Sequence, residues 1–312
     1  MNRLGGGAIQ ENWCLDVAVT GGAFAGHLET VLRTDAASKV AVSLTRGQEF
    51  ALLKTAFDAG VTVPEPLWMC GDISVLGKEF FIMRRVSGDA AGHRLVKTEL
   101  VRDSGEVLVE RLAQELARIH GITPPAKDLD FLVLPEPTPA RYWVTQFRKY
   151  LDSHPEPHPL LEWALRWLEL NAPVDVHMVL CHHDFRTGNL MVDGSTLTGI
   201  LDWEFAGWSD FHEDLGWFCA KCWRFGADNR EAGGLGGRET FYKSYEEATG
   251  RLINHDTVIY WEAMAHVRWA IIALQQAQRF LSGEESSLEA ALTGHVVPGL
   301  EFELLKLTGK ES

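Results

Sequence analysis

Several classes of protein are excluded by what this 312-residue chain lacks. No apolar run approaches the ~20 residues that a membrane-spanning helix needs. The opening "MNRLGGGAIQENW" has no apolar core of the kind a secretory leader carries. Cysteine is scarce: there are five, an odd number without framework spacing, which argues against a disulfide scaffold and for a reducing, cytoplasmic setting. Repeats and low-complexity linkers are also missing. Basic residues are in short supply, with 29 Lys and Arg against 43 Asp and Glu and a net charge of −14. The deficit is uneven, net −1 over residues 1–88 and −13 over the remainder. An acidic second part repels the phosphate backbone, so a nucleic-acid partner is not expected.

The chain instead has 46% hydrophobic residues and a change of period near Gly88. Before it, "NWCLDVAV" (12–19) and "HLETVLR" (27–33) alternate as half-buried strands do, with "TGGAFAG" turning between them. "RGQEFALLKTAFDAG" (46–60) has helical spacing and ends on Gly60. Two further strands are expected in "VPEPLWMCGDISVLGKEFFIMRRVSG". Beyond Gly88 the period is 3.6: "EVLVERLAQELARIHGI" sets Leu108, Leu112, Leu116 and Ile119 on one face. Helices are also expected over 140–154, 159–172, 210–226, 238–250 and 255–283. The expectation is an α+β chain in two lobes: a small antiparallel β-lobe with one helix over 1–88, and a larger, mostly helical lobe over 89–312.

One β island stands out in the helical part, "CHHDFRTGNLMVDGSTLTGILDWE" (181–204). Asp193-Gly194 is a tight-turn signal between two apolar runs. Closing it brings Asn189 beside Asp202 at the open end, an all-oxygen pair suited to Mg²⁺. Asp184, on the entering loop, is free to face a nucleophile. Alone, an Asn or Asp beside such a turn is ordinary turn chemistry; the three together, behind a β-rich lobe, form a catalytic constellation.

These motifs resemble the catalytic and metal loops of the aminoglycoside phosphotransferase family, relatives of the protein kinases. His182, Asp184 and Asn189 match H-x-D-x-x-x-x-N, and Asp202-Trp203-Glu204 stands where kinases have D-F-G. "WSDFHEDLGWFCAKCWRFG" resembles the branch found fused to, or encoded beside, acyl-CoA dehydrogenases. The resemblance implies a protein-kinase-like fold and transfer of the γ-phosphoryl of ATP (or GTP) to a hydroxyl of a small molecule. It implies that Asp184 takes or orients the hydroxyl proton, His182 and Asp214 brace the loop, and Asn189 and Asp202 hold Mg²⁺. His183 stands where the family more commonly has Gly.

For the nucleotide, the resemblance implies a phosphate-covering loop at Gly5, Gly6 and Gly7. It implies a phosphate-pairing cation at Arg33 with Glu49 as its partner, and an adenine edge at Ile82, Met83 and Arg84. Two acceptor types stay open. Glu204, Asp210 and Glu213 would suit an amino sugar, whereas Arg268 and Arg279 would suit a hydroxyacyl-CoA or another anionic metabolite. Two alternatives remain beside the enzyme. One is a nucleotide-binding pseudokinase that senses without turnover; the other, a protein kinase, is disfavoured because no A-P-E follows "LDWE". The C-x-x-C of "CAKC" is expected to be core cysteines within a helix, and His120 a core or surface histidine and not a zinc ligand.

Overall fold

A computed structural model describes residues 2–4, 10–35, 44–284 and 287–309, apart from the side chain of Leu100. The first lobe is a five-stranded antiparallel sheet. Its strands are β1 (Asn2–Arg3), β2 (Gln10–Val19), β3 (Gly26–Asp35), β4 (Pro66–Cys70) and β5 (Phe80–Arg84), in the order β1-β2-β3-β5-β4. The long β2–β3 hairpin runs in register from Gln10↔Asp35 to Val19↔Gly26. Helix α1 (Arg46–Asp58) covers one face. Its N-terminus is closed by a capping box between Thr45 and Gln48, and the left-handed Gly60 (φ +80°) ends it. A single helix was expected in this lobe; a one-turn second helix, α2 (Ile73–Leu76), also separates β4 from β5.

The helical lobe contains α3 (Gly92–Leu95), α4 (Glu99–Ile119), α5 (Pro139–Ser153), α6 (Pro159–Leu170), α7 (His212–Cys219), α8 (Arg238–Thr249), α9 (His255–Leu281), α10 (Leu288–Thr293) and α11 (Val297–Thr308). The expected Leu108, Leu112, Leu116 and Ile119 stripe of α4 is buried. One core cluster runs from Leu52, Ala56 and Phe81 of the sheet lobe through α4 to the hairpin residues Leu190 and Ile200. A second gathers α5, α6, α9 and α11. Both lobes therefore share apolar packing directly beneath the hairpin.

That hairpin comprises β7 (Leu190–Asp193) and β8 (Thr196–Ile200), turning at Gly194 with φ +58°. It is not the only β island: β6 (Met178–Cys181) pairs with β9 (Gly207–Asp210) on the flanks of the same stretch. The two ladders hold the loop 182–189 between them like a frame. The expected continuous helix over 210–226 is also broken. It ends at Cys219, where Ala220 turns to ψ 138°, and a 3-10 turn over Lys221–Trp223 follows.

The lobes are joined where Asp89 pairs in main chain with Val192. Gly88 has φ +120°, and a Cβ there would meet the Val192 carbonyl oxygen at 2.5 Å, so only glycine allows this approach. The Glu115 carboxylate of α4 adds a polar tie, accepting from the Thr62 main-chain N–H and hydroxyl, both at 2.8 Å.

Candidate active site

The loop from His182 to Asn189 is held from below by Asp214, in the first turn of α7. Its carboxylate is fully buried and accepts the main-chain N–H groups of His182 (2.6 Å) and His183 (2.9 Å). The third donor to it is His120 Nε2 at 3.2 Å, and His120 Nδ1 meets the Tyr245 hydroxyl at 2.7 Å. Burial by itself pushes the Asp214 carboxyl up; the His120 hydrogen bond and the surrounding imidazoles outweigh it, leaving the group below its ordinary value. Cys181 lies close enough that His120, Cys181 and Asp214 have ligand atoms within 4.8 Å of one another. Both His120 nitrogens and both Asp214 oxygens are already hydrogen-bonded, so the cluster is a brace and not an ion site.

His183 adopts φ +60°, a left-handed conformation that disfavours a side chain. The surroundings fix it there. Its N–H goes to Asp214, its carbonyl accepts from Arg268 NH1 at 2.8 Å, and its Nδ1 lies 2.9 Å from the Phe205 carbonyl. His182 has a defined tautomer. Nε2 faces the Leu201 carbonyl at 3.0 Å and must donate, while Nδ1 accepts from the Asp184 N–H at 3.3 Å. Burial lowers its imidazole pKa, so the neutral ring that this pattern needs is the favoured form.

Asp184 is the centre of the loop. Its Oδ1 accepts from Arg186 Nε at 2.9 Å and from the indole Nε1 of Trp217 at 3.1 Å. Its Oδ2 accepts from Asn189 Nδ2 at 2.6 Å, and the same amide nitrogen reaches the Asp184 carbonyl at 2.9 Å. With the nitrogen so engaged, the Asn189 amide oxygen is turned to the other side. Asp202 follows Leu201, whose N–H donates to the Asn189 carbonyl at 2.9 Å. The hairpin thus brings the three oxygen-bearing residues into one connected unit.

From the sheet lobe, Arg33 spans the seam. Its NH2 lies 2.8 Å from Glu49 of α1 and 2.6 Å from Asp202. Burial alone would lower the guanidinium; Glu49, Asp202 and Glu204 together outweigh that and raise it. The Asp202 side chain is 35% exposed, so one face of it remains open to solvent. Glu204 accepts from Gln10 Nε2 at 2.6 Å. Burial first, and then the neighbouring Asp202 charge, push its carboxyl up to about 7.

Other expected site residues lie elsewhere. Glu204 faces the sheet lobe and not an acceptor cleft. Asp210 is buried, its carboxylate taken by the His212 N–H and ring. Glu213 is buried beside His183, Arg268 and Ser209. Arg268 is buried between the Trp143 and Trp217 rings, 5.2 and 4.7 Å from their centroids. Glu213 and Arg268 pack against His183 of the loop and Asp210 against His212, and none of the three offers an exposed charge to an acceptor. Ile82, Met83 and Arg84 lie inside β5, with β3 on one side and β4 on the other. The Arg84 N–H goes to the Glu65 carbonyl and its side chain to the Glu65 carboxylate. An adenine edge there would have to displace the ladder; the chain leaves the sheet only after Arg85, whose N–H still donates to Glu29. Gly5, Gly6 and Gly7 lie outside the described residues. Arg279 sits near the end of α9, 3.8 Å from Glu284.

Sequence alone gives Trp217 no role and leaves His120 a core or surface residue. Trp217 lies three residues after Asp214, so both fall on one face of α7, a spacing visible in "DLGW". His120 ends α4, and nothing local in the sequence signals its distant partner. Cys219 and Cys222 are free thiols; burial pushes Cys219 up to about 12 and Cys222 higher still, as befits core cysteines. No helix of the described residues is long and apolar enough to cross a membrane.

A five-stranded lobe in the order 1-2-3-5-4, a helix-borne Glu paired to a strand cation, and a loop-hairpin unit with Asp, Asn and Asp define a protein-kinase-like phosphotransferase fold. The model of the phosphotransferase enzyme family matches residues 2–251, and the chain belongs to that family. Among curated relatives it is 25% identical over 272 residues to acyl-CoA dehydrogenase family member 11 of Pongo abelii, covering 84% of this chain and 35% of that protein. It therefore spans about a third of the length of such relatives, or less. A Ralstonia eutropha structure provisionally classed as an aminoglycoside phosphotransferase superposes with TM-score 0.77 at 23% identity, covering 99% of this chain and 92% of that one. A hygromycin B-type aminoglycoside phosphotransferase, solved as a ternary complex with AMP-PNP and hygromycin B, gives TM-score 0.61 at 17% identity, covering 99% and 94%. At these identities the two structures speak to the fold.

Proposed function

We propose that this chain is a small-molecule kinase that transfers the γ-phosphoryl of ATP to a hydroxyl group. The observation that carries the reading is the direct Asn189–Asp184 hydrogen bond, one residue away from Asp202 across the ladder. A carboxylate placed to receive a proton stands beside two oxygen donors of the kind Mg²⁺ prefers. The donor set fits that ion. Asn189 has its oxygen free of the Asp184 contact, and Asp202 is partly exposed. Mg²⁺ held there would neutralise charge on the phosphate oxygens.

The division of labour falls at Gly88. The sheet lobe receives the nucleotide, with Arg33 as its phosphate cation, and the helical lobe receives the acceptor. In transfer, the acceptor oxygen forms a bond to the γ-phosphorus and its proton passes to Asp184. The bond from that phosphorus to the β-bridging oxygen breaks, releasing ADP. Because this transition state is loose, positioning and charge neutralisation dominate. Asp184 Oδ1 accepts from both Arg186 and Trp217, whereas Oδ2 accepts only from Asn189 and keeps a lone pair to receive the proton. The Arg186 guanidinium, stacked 4.8 Å from the Trp223 centroid and bonded to Asp184 Oδ1, is a cation available to the transferred group. ATP is favoured over GTP by analogy with the AMP-PNP-bound neighbour.

For the acceptor, the burial of Glu204, Asp210 and Glu213 removes the carboxylates that an amino sugar would use. Relatives named as acyl-CoA dehydrogenases favour a hydroxyacyl-CoA or similar alcohol. The five free cysteines support a cytoplasmic setting. The test is a coupled ADP-release screen over aminoglycosides, sugars, choline-like amines and hydroxyacyl-CoAs, run beside Asp184→Asn. Acceptor-dependent, Mg²⁺-dependent release that falls by orders of magnitude in the variant is expected. Release that is equal in both proteins overturns the assignment.

A further inference from the structure

Helix α7 grips the catalytic loop twice. Asp214 takes two main-chain N–H groups of the loop, and one turn later Trp217 donates its indole N–H to the Asp184 carboxylate. We infer that Trp217 is a positioning residue for phosphoryl transfer, its N–H fixing Asp184 so that the lone pair of Oδ2 not taken by Asn189 faces the acceptor. This inference rests on the kinase reading above.

The surroundings immobilise the indole. Trp217 is 3% exposed. The Arg268 guanidinium lies 4.7 Å from its ring centroid on one side, and the Trp223 ring packs at 5.1 Å. A cation over the indole face draws electron density from the ring and strengthens its N–H as a donor. Gly216 lets the helix sit directly on α9, since a Cβ there would meet Trp261 Cβ at 2.5 Å and its carbonyl carbon at 2.8 Å. The donor is therefore mounted on packed backbone. Arg186, the other donor to Oδ1, comes from the flexible-stemmed side chain of the loop itself. With Trp217 removed, the carboxylate keeps only Arg186 on Oδ1 and Asn189 on Oδ2, both partners that move with the loop, and it can shift with them away from the acceptor.

Two measurements test this, one of them independent of turnover. In ¹⁵N–¹H spectra the Trp217 indole peak is assigned by its loss in Trp217→Phe. It is expected to move upfield in Asp184→Ala, where the acceptor is gone and the indole untouched; an unmoved peak overturns the contact. In kinetics, Trp217→Phe is expected to lower kcat roughly tenfold or more while the KM for ATP changes less than about twofold. Unchanged kcat in folded Trp217→Phe overturns the positioning role, as does a loss shared equally with ATP binding. If Trp217→Phe fails to fold, the Asp184→Ala spectrum alone decides, with the indole peak then assigned by through-bond methods. An inactive wild type would count against the proposed function, and the spectrum would still decide the contact.

Discussion

Replacing Asp214 with Asn keeps the size of the brace and removes half of its accepting power. The wild-type carboxylate serves three donors, the His182 and His183 N–H groups and His120 Nε2. An amide has one oxygen; placed where Oδ2 stood it serves His182 and His120 Nε2, and its NH₂ then faces the His183 N–H. That N–H is buried, and leaving it unpaired costs about 1–3 kcal/mol. Loss of the charge-assisted character of the remaining bonds adds about 1 kcal/mol. His183, held at φ +60° by this grip, can then relax, returning about 1 kcal/mol of backbone strain. The net expectation is a loss of about 1–3 kcal/mol, hence a melting temperature lower by roughly 2–5 °C for a chain of this size. Turnover should fall more steeply than stability, because relaxation at His183 displaces Asp184 next to it. Calorimetric melting with parallel ADP-release kinetics measures both. A variant that melts within 1 °C or so of wild type and keeps full turnover would refute the brace.

Gly88→Ala places a methyl against the Val192 carbonyl in a backbone conformation hostile to side chains; a destabilisation of about 2–4 kcal/mol is expected by denaturant titration, and a neutral variant would contradict the close lobe junction. Glu204→Gln is expected to raise the melting temperature at pH 8 and to leave it unchanged below pH 5. The folded carboxyl titrates near 7 and the ordinary one near 4.5, so the buried charge weighs against folding above pH 7 and its penalty disappears as pH falls through that window. An equal difference at both pH values would refute this. The buried histidines His120, His182 and His266 act in the opposite direction, burial having lowered each. Their contribution is complete above about pH 6.5 and is lost as pH falls from there through their folded values. A stability profile of Glu204→Gln should therefore decline on acidification below pH 6.5 more steeply than that of wild type.

The hairpin was legible because its signals are local: a DG turn, flanking apolar runs, and polar residues at fixed offsets. The Arg33–Glu49 pair was legible through the resemblance, and the ladder placed it at 2.8 Å. What escaped was everything set by distant contact. The run "MVLC" is too short and too uniformly apolar to show a period, so β6 and its partner β9 went unread. Ala220 breaks α7 with neither Gly nor Pro to mark it. Glu204, Asp210 and Glu213 look like surface carboxylates in sequence, yet each is buried against a partner from another element. Burial of charge depends on the fold, not on spacing.

The account stands on Asn189 and Asp202 holding Mg²⁺ against a triphosphate beside Asp184. The most direct measurement is isothermal titration of Mg²⁺ and AMP-PNP into wild type, Asp202→Asn and Asp184→Asn. Affinity should fall at least about tenfold in Asp202→Asn, through loss of a charged ligand, and stay near wild type in Asp184→Asn. Equal, Mg²⁺-independent binding by all three proteins would contradict it.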